Sequence, residues 1–461
     1  VIKLLTSLSF FALFASPAFA KVEASYLDLG LRQNRYLGTV TSNQAGQTYT
    51  QFATDLNLET QSEGFTYKVN PMAQGAFESN SELYFGIPEI YVQPRKIAPW
   101  FNLTIGRQKR TWSRLDEEFN LGIWQPQLRW DYLAPVQEGL VGVFFDWSLT
   151  SQVRFTFFTS PLAIPDQGPS YRLVDGKFIS NNRWFEQPHS RLQYQGNNFS
   201  KDAPLYFKLD KPSEEDIVMH SSFGFGLQYQ ITPMIWSNFN YAYKPRNQIH
   251  LGIECTNCVD ITNFEVTAVI HPKIVMHHVA TWELGFDRED DRGWISVTGD
   301  RPNSSGFPED YYQASLDSWV IAGGAYQHYF HRFIGKPSWM QYSYMRAFQV
   351  ARGAGGGLMS AESVKSSLDR YPFLEVAAVD WRVELAQQRR NKVSLRTRYN
   401  YSVPERGGWL SLSLALAKGP VTWSLGADLL GANVDPDSQD AGLFSTYRAN
   451  DRFFGGLGYV F

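Results

Sequence analysis

The sequence predicts an all-β protein, a transmembrane antiparallel up-and-down β-barrel of about eighteen strands with short turns at one end and long loops at the other. Three observations lead to it. Apolar residues recur with period 2 over segments of roughly ten residues, and no convincing stretch repeats at 3.6. Connections alternate between tight turns and long polar stretches. The final strand closes on an aromatic residue, Phe461.

Composition sets the outer bounds. Length alone, 461 residues, would suggest about three globular domains. A content of 43% hydrophobic, 15% aromatic and 19% charged residues, with 33 Phe, 24 Tyr and 14 Trp, excludes disorder. The formal net charge of -3 gives no basic footprint for nucleic acid. No apolar run reaches ~20 residues, which excludes membrane-spanning helices.

The first element is a leader. Lys3 precedes the apolar stretch 4–15, and Ser16-Pro17-Ala18-Phe19-Ala20 offers small residues where a signal peptidase reads. Residues 1–20 are therefore expected to be a secretory signal peptide and 21–461 a single transmembrane β-barrel domain. Val1 in place of Met fits a bacterial non-Met start codon.

Strands follow. The first is expected near 22–31, directly after the cleavage site, and further alternation occupies 52–59, 235–244 and 393–403. Over 221–231, Phe223, Phe225, Leu227, Tyr229 and Ile231 share one face, opposite Ser222, Gly224, Gly226, Gln228 and Gln230. Over 409–417 the apolar set is Leu410, Leu412, Leu414 and Leu416, and over 421–429 it is Val421, Trp423, Leu425, Ala427 and Leu429. Tight turns are read at 61–64, 150–151, 232–233, 271–273, 388–391 and 418–420, with somewhat longer ones at 94–99 and 334–337. Long polar stretches, 161–216 and 287–315 among them, lie between. With both termini at the turn end, eight turns join sixteen strands and the terminal strands bring the count to about eighteen; sixteen is the alternative. The segment 294–299 looks like a strand but would break the parity, so it is assigned to an extended external hairpin. Both cysteines sit in Cys255-Thr256-Asn257-Cys258; no second CxxC or His pair follows at zinc-finger spacing, which leaves Cys255 and Cys258 as a small-loop disulfide candidate.

A soluble sandwich would bury the apolar faces, whereas a membrane barrel turns them to lipid around a polar interior. The small or uncharged polar faces, the Tyr and Trp near strand ends and the alternating connection lengths favour the barrel. The terminus Asp451-Arg452-Phe453-Phe454-Gly455-Gly456-Leu457-Gly458-Tyr459-Val460-Phe461 aligns Phe453, Leu457, Tyr459 and Phe461 on one face. Here the sequence resembles the Gram-negative outer-membrane β-barrel family of the porin type. That resemblance implies an outer-membrane location, a C-terminal assembly signal read by the barrel assembly machinery, and contact with outer-membrane lipid and lipopolysaccharide, as a monomer or a homotrimer.

The segment Leu103-Thr104-Ile105-Gly106-Arg107-Gln108 resembles the Gly-Arg-Gln strand motif of porins, and of alginate-export-like barrels. It leads into 109–138, the place and length of a loop folded into the lumen. The resemblance implies a constriction built from Arg107, Arg110, Arg114, Asp116, Glu117, Glu118 and Arg129, where opposed charges screen solutes by size and sign. Parity raises one conflict. Phe101, Leu103 and Ile105 face lipid, so Arg107 would too unless Gly106 marks a bulge that turns it inward or Arg107 snorkels at the rim.

Elsewhere parity places Lys392, Arg396 and Arg398 inward beside Asp380, Arg382 and Glu384, so that Asp380 pairs with Arg396 or Arg398. Across the turn at 150–151, Asp146 and Arg154 come out opposite each other on the lumen face. An outer-membrane hydrolase would need His with Ser or paired acids; His220-Ser221-Ser222 and His277-His278 lack that pattern. The expected function is a water-filled channel for passive diffusion of small hydrophilic solutes, with no catalysis, cofactor or metal. The alternatives are an oligosaccharide or acidic-polysaccharide channel, in which Trp112, Trp124, Trp130 and Tyr132 would form a stacking track, or a structural or adhesin barrel.

Overall fold

A computed structural model describes residues 21–39, 45–62, 64–95, 97–188, 190–196, 199–254, 259–260, 265–333, 335–351, 371–388, 391–436 and 441–461. The expected leader, 1–20, and both cysteines, Cys255 and Cys258, lie outside the described residues. Eighteen strands form one closed sheet. They are β1 Lys21–Tyr36, β2 Thr48–Gln61, β3 Phe65–Ala76, β4 Ser79–Pro94, β5 Phe101–Gln108 and β6 Leu140–Ser148. Next come β7 Val153–Ser160, β8 Ser222–Gln230, β9 Ile235–Pro245, β10 Met276–Asp287, β11 Asp291–Pro302 and β12 Ser318–Phe333. The last six are β13 Lys336–Ala351, β14 Glu375–Gln388, β15 Asn391–Ser402, β16 Gly407–Lys418, β17 Val421–Gly431 and β18 Arg452–Val460. Each pairs antiparallel with its sequence neighbour, and β1 closes on β18 from Asp28↔Val460 to Tyr36↔Arg452.

The alternation sets which side each residue faces. Leu412, Leu414 and Leu416 on β16, and Trp423, Leu425 and Leu429 on β17, are exposed on the outside, as are Phe223, Leu227 and Tyr229 on β8. Soluble proteins do not leave such continuous apolar bands uncovered; a hydrocarbon surround covers them. Among the described residues no helix is long and apolar enough to cross a membrane. The start of β1, the end of β18 and the short turns share one end. At Lys418-Gly419-Pro420 the turn relies on Gly419 at φ +59, a left-handed conformation that costs glycine little.

Seven of the eight expected turns are in place and one is not. The segment 271–273 is no turn. Glu265–Lys273 is instead a strand of a sheet in the long loops, with Pro272 opposite Leu251. The missing turn joins β10 to β11, where Arg288 N donates to Asp291 O at 2.7 Å. Residues 294–299 therefore belong to barrel strand β11, with Ile295 and Val297 exposed outward and Ser296 and Thr298 buried inward. The long connection begins after Pro302 rather than at 287. Two displaced strands cancelled in the count, because period 2 does not distinguish a barrel strand from a strand in an external sheet.

That external sheet joins Phe199–Leu209, Glu265–Lys273, His250–Glu254 and Tyr312–Gln313, with a parallel pairing from Leu205↔Val266 to Leu209↔Ile270. Phe178, Phe207, Ala268 and Ile270 form its small core. A larger apolar core lies inside the barrel. Trp112, Leu115, Phe119, Leu121, Ile123 and Trp124 of the connection after β5 pack on Phe144, Phe158, Ala242, Val279, Ile321, Met345 and Val376 of the wall. Part of the interior is therefore packed protein.

Candidate functional site

The connection 109–139 folds into the lumen and crosses it, as its position after β5 leads one to expect. A short helix, α1 Arg114–Phe119, is capped by the Ser113 hydroxyl, which accepts from Asp116 N at 3.2 Å. Asn120, at φ 50, ends the helix. Polar contacts tie the crossing segment to distant wall strands. Asn240 Nδ2 donates to Trp112 O at 2.6 Å, Arg114 N to Glu283 Oε1 at 2.7 Å, and Trp124 Nε1 to Thr281 Oγ1 at 2.9 Å. On α1, Glu118 accepts from Gln341 Nε2 at 2.7 Å and from Arg398 Nη2 at 3.1 Å.

The charges named from sequence divide into two groups. Arg107, Asp116 and Arg129 are structural. Gly106 takes φ +131, where a Cβ would fall 2.3 Å from Ile90 O, and this local twist coincides with burial of Arg107. Arg107 donates to Glu138 Oε2 at 2.7 Å and to the carbonyls of Gly139 and Ile87 at 3.0 Å, so it neither snorkels nor faces open water. Asp116 is turned back into its own loop, accepting from Ile123 N at 2.9 Å and Trp124 N at 3.0 Å, and burial raises its pKa. Arg129 lies 3.3 Å from Asp166 and donates to Leu121 O at 2.8 Å. Asp166 is pushed up to about 6 by burial, against the pull of Arg129, and Glu117 to about 7, again by burial.

The second group faces water-accessible space. A cavity of about 330 Å³ on the turn side of the loop is lined by Arg110, Asp146 and Arg154 among amide and hydroxyl side chains such as Gln93, Asn102 and Gln228. Arg110 binds Asp146 through two bonds of 2.8 Å. Arg154 reaches the same carboxylate at 3.7 Å, diagonally, because the residue opposite Asp146 is Thr156. Arg114, the first residue of α1, holds its guanidinium 4.3 Å above the Trp236 ring.

A larger opening, about 360 Å³, separates α1 from the wall formed by β15 to β18 and β1. Glu118, Asn120 and Tyr132 line the loop side, and Arg32, Arg396, Arg398, Asp428 and Arg452 the wall side. Asp380 stands directly opposite Arg398 in the ladder, yet its shortest bond, 2.6 Å, is to Arg396; Arg382 and Arg398 approach it at 3.5 and 3.9 Å. Glu384 pairs with Lys392 at the turn end of the same face. Arg452 bridges wall and loop, at 2.7 Å from Asp428 and 2.5 Å from Asp131. Arg32 stacks on Phe454 at 3.8 Å and sits 3.6 Å from Asp428.

Arg32, Asp428 and Arg452 were absent from the charges assigned to the lumen. Their signal was parity: Leu29 and Leu31 outward put Arg32 inward, and Phe453 outward puts Arg452 inward. The aromatic track does not form. Trp112 and Trp124 stack on each other at 5.3 Å and are buried, Trp130 packs against the Tyr36–Tyr49 cluster, and Tyr132 stacks on Tyr447. His277 is buried against Asp300 at 2.8 Å, and the His220 ring bonds to Asp216 O of its own loop at 2.8 Å. Phe453, Leu457, Tyr459 and Phe461 are all exposed on the outer side.

No family model matches the chain, and no curated protein does. Among solved structures it is similar to OccAB3 of Acinetobacter baumannii, with a TM-score of 0.50 and 11% identity over 96% of this chain and 99% of that one. It is also similar to OprD of Pseudomonas aeruginosa, with a TM-score of 0.44 and 12% identity over 97% of each chain. OpdQ of the same organism gives 0.46 and 9% over 95% of this chain and 97% of that one. At such identities what is shared is architecture. Together with the closed sheet of 18 strands, the likeness to OccAB3 gives the chain the fold of a porin-type outer-membrane β-barrel.

Proposed function

We propose that the chain is an outer-membrane channel through which small hydrophilic solutes diffuse passively, and that its opening favours anionic ones. The carrying observation is the charge ladder that reaches the space between α1 and the wall: Arg396 and Arg398 line it, and together with Arg382 on the neighbouring strand they share two carboxylates, Asp380 and Glu118. One guanidinium charge is left uncompensated on that face, and Arg396 and Arg382 remain more than two-fifths exposed. In water a unit charge at ~4 Å is worth ~1 kcal/mol, about a fivefold enrichment of a monovalent anion over a neutral solute. Arg32 and Arg452 are offset by Asp428 and Asp131, so they set the width of the opening more than its sign.

The route needs no covalent step. Solutes enter among the long loops, pass α1 and leave at the turn end, where β1 begins and β18 ends. A leader at 1–20 would bring the chain across the inner membrane, and the outward aromatic row ending at Phe461 would present it to the assembly machinery. An oligosaccharide channel is disfavoured because the tryptophans that would stack sugars are stacked on protein instead. Single-channel recording in planar bilayers tests the reading. Stepwise conductance with a reversal potential on the anion side is expected under a salt gradient; a chain that inserts without conducting would overturn the channel.

A further inference from the structure

Four adjacent strands place a row of side chains at one level on the outer face. In register, Phe223 of β8 stands opposite Tyr243 of β9, Tyr243 opposite His278 of β10, and His278 opposite Arg301 of β11. Alternation puts all four outside, above the lipid-facing row Phe239, Trp282 and Val297. Ile235 and Phe286 form the corresponding row near the turn end. From Ile235 to Tyr243 the strand advances eight residues, ~26 Å at ~3.3 Å each. With a strand tilt of ~40° this is ~20 Å along the barrel axis. The apolar band of such barrels is ~25 Å tall, so the Tyr243–His278–Arg301 row lies at its outer boundary.

Unlike the Phe239–Trp282–Val297 row below it, this row carries a phenol, an imidazole and a guanidinium. Tyr241 Oη and His278 Nδ1 are 2.8 Å apart, and Asn303 Nδ2 donates to Tyr243 Oη at 3.0 Å. The Tyr243 and His278 rings lie 4.7 Å apart and form a shelf beside Arg301. Arg301 is exposed, and among the described residues no carboxylate stands against it. Arg346 on the outer face of β13 differs, since Glu375 lies 3.6 Å away. A guanidinium without a counter-charge, at a hydrocarbon edge, attracts a phosphate that it can bind through two parallel bonds.

We propose that Arg301, with His278 and Asn303, binds the phosphate of an outer-leaflet glycolipid whose acyl chains run down over Trp282, Ile295 and Val297. The inference rests on the outer-membrane placement above but not on conduction. The probe is diphosphoryl lipid A, added to the full chain in non-ionic detergent and followed by native mass spectrometry. One retained lipid per chain is expected for the native protein. Arg301→Gln should retain it at least tenfold more weakly, Arg301→Lys in between, and Arg346→Gln as well as the native chain. Lipid A stripped of its phosphates should bind like the native lipid does to Arg301→Gln. Equal retention by Arg301→Gln, with its heat-resistant barrel band on a gel unchanged, would overturn the site. So would full displacement by millimolar inorganic phosphate, which would mark a free-anion site. A chain that binds the lipid yet fails to conduct would sink the channel reading alone.

Discussion

The two halves of the lumen follow one strand pattern and end in opposite states. Along β6 to β14 a band of apolar inward positions, Phe144, Phe158, Ala242, Val279, Ile321, Met345 and Val376, packs on the loop, with Lys244, His277 and Asp300 buried beside it. Along β15 to β18 and β1 the same inward positions carry Arg396, Arg398, Asn400, Ser411, Asp428, Arg452 and Arg32. The first half receives the loop and is sealed; the second repels an apolar loop and stays open. A barrel's interior is thus assigned residue by residue, and the passage runs where the wall offers the loop nothing to pack on.

The largest break in this contrast comes from the sealed side. Trp124 is 1% exposed, stacked on Trp112 and bonded to Thr281. Trp124→Ala should cost ~3 to 5 kcal/mol of packing and release the crossing segment. Single-channel conductance should then rise and lose its anion bias, and native values would mean that the loop is held without this core. On the open side, Arg396→Glu with Arg398→Glu should carry the reversal potential to the cation side. Arg110→Glu with Arg114→Glu should move it less, because Arg110 is bound to Asp146 and Arg114 lies over Trp236. An equal shift from both pairs would erase the distinction between the two cavities.

The smallest effect concerns the seam between the halves, where Asp166 holds Arg129 and accepts from Gln127 N at 2.8 Å. Burial raises Asp166 from 3.8 to about 6. The folded state therefore keeps a proton that the unfolded chain has lost, so this group's destabilisation accumulates as pH rises from 3.8 through 6 and is complete above it. Lowering the pH from 7.5 to 5 should raise the denaturant midpoint by this contribution, and Asp166→Asn should abolish that part of the rise. An undiminished rise in Asp166→Asn would place the titration elsewhere, with Glu117 next in line.

Period 2, turn chemistry and the length of connections made the barrel legible. The turn 287–291 was not, because Arg288-Glu289-Asp290-Asp291 reads as the start of a long polar loop, while His271-Pro272-Lys273 reads as a turn. In the site, position and charge content revealed the loop, and parity revealed the ladder around Asp380. Burial was hidden. Whether Asp116 faces water or its own backbone depends on packing from β9 to β13, which no local window contains. One readable sign was Ser113-x-x-Asp116, a helix-capping spacing that ties the carboxylate's residue to a helix start. The apolar inward positions Val279, Ile321 and Met345 were a second, since lumen-facing aliphatics need a partner inside.

The closing seam has a kinetic consequence. Asp28 and Val460 meet from nearly opposite ends of the chain, and joining ends some 430 residues apart costs ~5 kcal/mol of chain entropy before any ladder bond forms. Such a contact forms late, after local hairpins. Arg32 and Arg452 sit on the two strands that meet there, so the wall of the opening is completed by the last zippering event. An unclosed intermediate holds its ladder around Asp380 but no finished gate, and selectivity arrives together with the native topology.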